Sequence, residues 1–547
     1  MPSTPTTKSQ VQAYRFVLRR MQSALVRKDA VMLHDPMRTH TRATIVGVCL
    51  GAVGMIGFLI WGLLSPAPKP PDKDGIVIGQ PSGAVYVLLN STPKGQVLIP
   101  TFNLASARLL LLSRSNPEAQ GVGSQVAEEG DPFGGAPAAA DSPTKPKFIP
   151  DDKLEGIQRE RLTGITDAPQ ILPEKPEQRI SDNWAVCDQY QIDDSLVDPS
   201  SEDKIETTVI AGVPDLGAEL ETNAALLVQA PTKKHYLVYR TPESANVRNT
   251  NTVRAEVDMT DKAVTQALRL DEKDVRQITT GLLNAIPEAA PLTPPAIQGR
   301  GEPTNLDMGV DLVVGSVFEV PVPGGSEYYV VLRDGVHKIK WSTANLIRFD
   351  RTEGGADIEK VNPDRLTGNV VQNVVQEADF PANLPEVLTP TNFPTVCLGW
   401  ALAGEPPNQV GQTKVYVGDP LPVELNAAGE PAVVDISTAN ADGSRIDHFY
   451  MPPGKAAIVR GADSPAAFAT GPIYVISDRG VKYGIPDLRT AQALNLPQQT
   501  PAPDAIVRLL PNGASLNARD VLQTYDTVPV EDGQFAEQPT ENGQSGG

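Results

Sequence analysis

The apolar positions of this chain fall into three patterns in turn. Residues 43–64, ATIVGVCLGAVGMIGFLIWGLL, form 22 consecutive positions without a charge. As a helix, at ~1.5 Å per residue, this run reaches ~33 Å, enough to cross a ~30 Å hydrocarbon core. A signal peptide would have a shorter run nearer the start; here 42 residues precede it and Trp61 lies near its far end. The pattern predicts a single transmembrane helix.

Ahead of the run, Val11, Tyr14, Leu18, Met21 and Leu25 recur at spacings of 3, 4, 3 and 4, the period of an amphipathic helix. Ser9 followed by Gln12 fits a capping box, and Pro36 is expected to stop the helix because it disfavours helical geometry at Asp35. Arg15, Arg19, Arg20 and Arg27 cover the remaining surface. Such a helix has the makeup to lie on anionic lipid or to bind a cytoplasmic partner.

Beyond the span the period shortens. Residues 84–111 read as strand, turn, strand, helix, and this ββα pattern returns at residues 235–270, 328–349 and 473–496. Asp334-Gly335 and the stretch from Asp478 to Gly480 mark tight turns, where glycine accepts a positive φ. Thr101 or Asn103, Thr260, Ser342 and Asp487 are available as N-caps. A unit of about 25 to 35 residues buries too little core to stand alone, so the units are expected to pack in pairs or against a central domain.

These readings give an α+β fold class with the following plan. Residues 1–42 form a basic amphipathic arm, 43–64 the span and 65–75 a proline-rich spacer; 76–115 are the first repeat and 116–150 a flexible linker. Residues 151–230 and 361–465 are two parts of a central β-rich core; 231–300 and 301–360 are the second and third repeats, 466–531 the fourth with a C-terminal segment, and 532–547 a disordered tail. The whole is expected to be an elongated ectodomain of four repeats around a disulfide-linked core, with pseudo-two-fold halves.

Charge orients this plan. The first 42 residues carry eight Lys and Arg against Asp29 and Asp35, which puts the N-terminus in the cytoplasm and the remaining chain outside it. That arm contributes +6 to a formal charge of −19, so the remainder carries −25, which argues against nucleic acid as a partner. Of three cysteines, Cys49 lies in the span; Cys187 and Cys397 have only each other outside the cytoplasm and are expected to form one disulfide. In the span, Gly47, Gly51, Gly54 and Gly57 would let another helix approach closely.

No catalytic signature stands out. The ectodomain histidines His235, His337 and His448 are widely spaced and no CxxC or HExxH occurs, so no metal or cofactor is expected. The nearest approach to a phosphate-binding loop, PPGKAA at residues 452–457, lacks both the upstream glycine and the hydroxyl residue that would reach magnesium. There is no GxSxG elbow. Tyr86, Tyr236, Tyr328 and Tyr474, at matching positions of the repeats, are candidate glycan contacts or strand-core residues.

Several stretches resemble one family, in its order: QVQAYRFVLRRMQSALVRKDAVMLHDPMRTHTRA leading into the span, NLASARLL (103–110), NWAVC (183–187), GLLNAIPEAAPLTPP (281–295), TVCLGW (395–400) and YVISDRGVKYGI (474–485). They are similar to EccB, the membrane-anchored B component of the actinobacterial type VII (ESX) secretion machinery. The resemblance implies a single-pass inner-membrane scaffold with a periplasmic domain of two halves joined at Cys187 and Cys397. It implies as partners an EccC-like ATPase, EccD-like and EccE-like membrane proteins and further EccB copies, with a periplasmic mycosin protease as another candidate. Some members of the family carry an ATPase label. The alternatives are a membrane-anchored peptidoglycan-binding protein, an ATPase and an ectodomain hydrolase.

Overall fold

A computed structural model of the chain describes residues 7–27, 36–64, 70–93, 95–115, 144–191, 204–241, 252–350, 355, 357–372, 374–405, 408–437, 446–496 and 498–525. The chain divides into two compact units, residues 1–70 and 71–547.

The N-terminal unit contains two helices, Lys8–Arg27 and Pro36–Leu64. The first begins earlier than Ser9 and Gln12 suggest. Thr7 takes the cap position, its backbone N–H donating to Gln10 Oε1 at 3.0 Å, while Val11 N–H donates to Thr7 O at 3.2 Å. Thr7 and Gln10 repeat the spacing of Ser9 and Gln12 and complete a further half-turn. Pro36, expected to end this helix, instead opens the second, at a position where its missing N–H breaks no intrahelical bond. The second helix carries the apolar run; residues Arg42–Gly62 have a mean hydropathy of 2.3, long and apolar enough to cross a bilayer.

Among the described residues, the large unit forms five sheets. Four follow one strand plan: an antiparallel meander of three strands, a helix, and a last strand lying parallel beside the first. The first has Gly75–Gln80, Val85–Thr92 and Gly95–Thr101, helix Leu104–Ser115, then Lys147–Pro150; the second has Ala224–Gln229, His235–Arg240 and Thr252–Val257, helix Lys262–Leu268, then Val275–Gln277. The third has Val317–Val322, Gly325–Leu332 and Gly335–Ile339, helix Trp341–Phe349, then Glu359–Lys360; the fourth has Ala456–Ala462, Ile473–Ser477 and Lys482–Ile485, helix Leu488–Ala493, then Thr500–Pro503.

Each expected ββα pattern is therefore the middle of a longer βββαβ unit, which moves several boundaries. The second unit begins at Ala224 rather than 231 and the fourth at Ala456 rather than 466, because those strands pair with the hairpins that follow. The third begins at Val317 rather than 301. Strand Lys147–Pro150 falls inside the stretch expected to be a linker, pairing with Val77 to Gln80. Residues 116–143 of that stretch and the tail 532–547 lie outside the described residues.

The helix starts follow local chemistry in part. Asn103 accepts from Ser106 N–H at 2.8 Å and Asp487 from Thr490 N–H at 2.7 Å. The second unit is capped by Asp261, since Thr260 is bonded to Asp258. The third has Lys340 at its cap, and Ser342, inside the helix, donates to Pro381 O. At the third hairpin Arg333 and Asp334 form the turn. Gly335 follows the turn at a positive φ of 157°, and a Cβ there would also stand 2.5 Å from the Asn369 carbonyl oxygen.

The units pack in pairs. Ile99, Ala107 and Leu110 of the first share a core with Val475, Leu494 and Leu496 of the fourth. Buried Arg108 joins the same two, through Glu174 at 2.7 Å and the Leu494 carbonyl at 2.8 Å. Leu237 and Leu268 of the second unit share a core with Leu346 of the third. The fifth sheet has seven strands, and at its middle Trp184–Gln191 runs antiparallel to Thr395–Ala403. Cys187 stands directly opposite Cys397, with Cα atoms 4.0 Å apart, and the two are disulfide-bonded.

Cys187→Ser should lower stability by up to about 5 kcal/mol, the chain-entropy limit for so long a loop. The melting midpoint of the variant should match that of the reduced wild-type protein. A midpoint equal to that of the oxidised protein would remove the disulfide from the list of stabilising elements.

Candidate functional site

The N-terminal unit presents apolar surface that it does not cover. Along helix Lys8–Arg27, Val11, Tyr14, Leu18, Met21 and Leu25 are all exposed, from 38% at Leu18 to 81% at Leu25. Val17, omitted from the sequence reading, lies on the same stripe at 52%. Its signal was available in the 3.6-residue period, three positions after Tyr14 and four before Met21, at the edge of the stripe. In the second helix a Cβ added at Gly47, Gly51, Gly54 or Gly57 would meet nothing within 4 Å. That face is open among the described residues.

The large unit behaves oppositely. Cys187 and Cys397 are buried with Ala185, Ile210, Leu421 and Tyr450. The four tyrosines at matching positions have partners within the chain. Arg159 lies 5.5 Å from the Tyr86 ring centroid, Arg254 5.3 Å from Tyr236 and Lys482 5.9 Å from Tyr474, while Tyr328 packs on Trp341 at 4.4 Å. Cation–π contact and ring packing thus engage the faces a sugar would use.

The histidines are likewise engaged separately. His235 meets Gln229 at 2.9 Å and His337 meets the Val371 carbonyl at 3.2 Å; His448 lies between Asp435 at 2.9 Å and Glu206 at 3.3 Å. No group able to hold a metal ion occurs among the described residues. The PPGKAA fragment forms a turn that enters strand Ala456–Ala462. A phosphate-cradling loop opens onto a helix, whose N-terminal N–H groups face the ligand.

Beside the disulfide lies a buried polar network that carried no motif. Asp188 accepts from Thr279 N–H at 2.8 Å, from Thr279 Oγ1 at 2.7 Å and from Thr207 Oγ1 at 3.0 Å. Thr279 is the N-cap of helix Thr280–Ala285, so the network ties that helix to the disulfide strand. Burial pushes the Asp188 carboxyl up to about 6, opposed by these hydrogen bonds and by the charge of Arg276. Burial also lowers Arg276, to about 10. The Arg276 guanidinium lies 5.3 Å from the Tyr190 ring and donates to the Pro394 carbonyl at 3.2 Å.

The sign of the pH effect follows. An acid whose folded pKa is raised favours the folded state below its unfolded value of 3.8, and loses that advantage as pH rises through about 6. Asp188→Asn stays neutral but puts an amide donor where one carboxylate oxygen accepts, so its stability offset from the wild type near pH 4 reports that lost hydrogen bond. Between pH 4 and pH 7 the difference should shift in favour of the variant by up to about 3 kcal/mol, from a shift of about two units. A constant difference across that range, measured by thermal unfolding, would rule out titration of Asp188.

Comparison with known proteins places this architecture. The family model described as type VII secretion system ESX-1, transport TM domain B, matches residues 3–530. The chain is 27% identical over 531 residues to the ESX-1 secretion system ATPase EccB1 of Mycobacterium tuberculosis (strain ATCC 25618 / H37Rv), covering 96% of each chain. It is 28% identical over 534 residues to the ESX-5 secretion system ATPase EccB5 of Mycobacterium marinum, covering 96% of this chain and 95% of that one. Two solved structures share the fold. A chain of the intact ESX-5 inner membrane complex gives a TM-score of 0.62 at 24% identity, covering 98% of this chain and 99% of that one. The EccB3 dimer from the ESX-3 core complex gives 0.62 at 24% identity, covering 82% of this chain and 100% of that one. With the family model matched along nearly its whole length, the chain belongs to the EccB family of type VII secretion transport proteins.

Proposed function

We propose that this chain is a structural subunit of a type VII (ESX) inner-membrane secretion complex, joining the cytoplasmic and periplasmic parts of the assembly. The observation that carries this reading is the contrast between its two units. The N-terminal one leaves the apolar stripe of Val11, Leu18 and Leu25 and the glycines of its long helix uncovered; the large one buries its apolar surface around a disulfide-bonded sheet. The excess of Lys and Arg in the first 42 residues supports an N-terminus in the cytoplasm. The stripe then meets an EccC-like ATPase or EccD-like and EccE-like membrane proteins, and the glycine face meets another span. The large unit faces the periplasm, where further copies and a mycosin protease are its candidate partners.

The four similar sheets are read as copies of one unit in two related halves, joined where Cys187 meets Cys397. The relatives are named ATPases. For this chain the turn-to-strand setting of residues 452–457 favours assigning the translocation motor to the EccC-like partner. Peptidoglycan binding through the four tyrosines is disfavoured by their engagement with Arg159, Arg254, Trp341 and Lys482.

The experiment is extraction of tagged full-length protein in mild detergent, followed by native mass measurement and identification of whatever accompanies it. A large particle containing an FtsK-like ATPase and a polytopic membrane protein is expected. Leu18→Asp should reduce its recovery several-fold while leaving the melting midpoint of the large unit unchanged. A lone monomer or dimer from the wild type would overturn the scaffold reading, and full assembly of the variant would remove the stripe from the contact.

A further inference from the structure

Residues 421–435 form a hairpin that lies over the disulfide. Its arms are tied to each other, Ala432 N–H donating to Glu424 O at 2.9 Å and Asn426 N–H to Glu430 O at 2.7 Å. At its base Leu421, Val423 and Val433 pack with Cys187, Cys397 and Tyr450, and Cys187 is fully buried. From Glu424 to Ala432 the hairpin is exposed, so three apolar side chains seat it. Its return arm ends in strand Val434–Asp435, the edge strand beside His448–Tyr450 in the seven-stranded sheet. A segment with so small a base opens locally at lower cost than the ladder beneath it.

At that edge His448 stands between two carboxylates from two other strands. Its Nδ1 lies 2.9 Å from Asp435 Oδ1, and its Nε2 lies 3.3 Å from Glu206 Oε2 on strand Lys204–Ala211. The side chains of His448 and Glu206 are 22% and 19% exposed, which shields that pair, whereas Asp435 is 89% exposed. An ionised carboxylate only accepts hydrogen bonds, so both ring nitrogens must carry protons to satisfy both partners. A neutral ring has one N–H and one lone pair, and the lone pair would then face a carboxylate. The other ionisable groups nearby do not compete for the ring. Asp447 accepts from Thr207 N–H at 2.7 Å, and Asp188 is bonded to Thr207 and Thr279. Burial and the neighbouring Glu424 raise the Tyr450 phenol, which keeps it neutral.

We propose that His448 is a proton-operated clasp that holds the hairpin of residues 421–435 closed over the Cys187–Cys397 disulfide. The charged ring joins Asp435, at the end of the hairpin, to Glu206, in the interior of the sheet. Loss of one proton costs one of these two contacts, and the hairpin opens more often. The seal over the disulfide is therefore tight in acid and loosens as pH rises through the range in which imidazole changes charge, about pH 5 to 8.

The test is the rate at which a water-soluble phosphine reduces the disulfide in full-length protein in dodecyl maltoside. Alkylation and mass measurement separate the reduced from the oxidised chain by two alkyl groups, whatever the state of Cys49. At about pH 5.5, His448→Gln should be reduced about threefold or more faster than wild type, the scale of a partly exposed ion pair. At about pH 8.5 the two rates should converge, because the wild-type ring is then neutral. Titration of Asp188 occurs in both proteins and leaves this ratio unchanged. A ratio that is the same at both pH values, whether near one or far from it, overturns the proposal, so a variant that is merely less stable does not pass. Glu206→Gln, which keeps the ring, should accelerate reduction in acid as well, and no acceleration from it overturns the two-sided clasp. Amide exchange in His448→Gln at the lower pH should rise over residues 421–435 and stay at the wild-type level over Trp184–Gln191. Equal acceleration of both segments means general loosening and overturns the hairpin as the element released. All these readouts are on the isolated chain, so the clasp and the scaffold role stand or fall separately.

Discussion

The pairing of Trp184–Gln191 with Thr395–Ala403 is the constraint on which the large unit depends. Two segments 210 residues apart meet in register, with Trp184 opposite Trp400 and Cys187 opposite Cys397. Everything between them, including the second and third βββαβ units, is a loop closed by that ladder. The largest core cluster draws Val186 and Leu398 from these strands, Leu226 and Val238 from the second unit, and Val459 and Ile476 from the fourth. Separating the two strands would expose all of them together. The disulfide removes conformations from the unfolded chain, and the shared core makes the folded ladder worth reaching.

Asp188, next to the disulfide, shows the cost of such a centre. Its carboxyl is buried with hydrogen bonds from Thr207 and Thr279, and its raised pKa records that desolvation outweighs them. Arg108 is another buried charge, satisfied by Glu174 and the Leu494 carbonyl, and it ties the first unit to the fourth. Arg114, one helical turn and a half further on, is exposed at the rim of a groove. The same helix therefore presents arginine once as an internal tie and once as a surface group.

The N-terminal unit follows the contrary logic. Its first helix carries Lys8, Arg15, Arg19, Arg20 and Arg27 without an acid, and its second an apolar run too long for its own small unit to bury. Neither helix finds a partner for its apolar face among the described residues of this unit, where the large unit pairs helix with helix.

The amino-acid pattern alone determined what depends on near neighbours. The 22-residue apolar run, the stripe at spacings of 3 and 4, the hairpin strands before each helix, and Asn103 and Asp487 as caps all follow from residues within a few positions of one another. So did the cysteine pair, because the choice of partners was so small. Tertiary structure decided the rest. Ala224–Gln229 is a short continuous apolar run, which periodicity cannot distinguish from other buried segments, and Lys147–Pro150 becomes a strand only because Val77 to Gln80 offers a free edge. Which units share a core, why Arg108 tolerates burial, and how Asp188 reaches Thr279 across 91 residues of chain rest on contacts that no local period encodes. A strand or a buried charge is stable only with its partner in place, and in this chain those partners are distant in sequence.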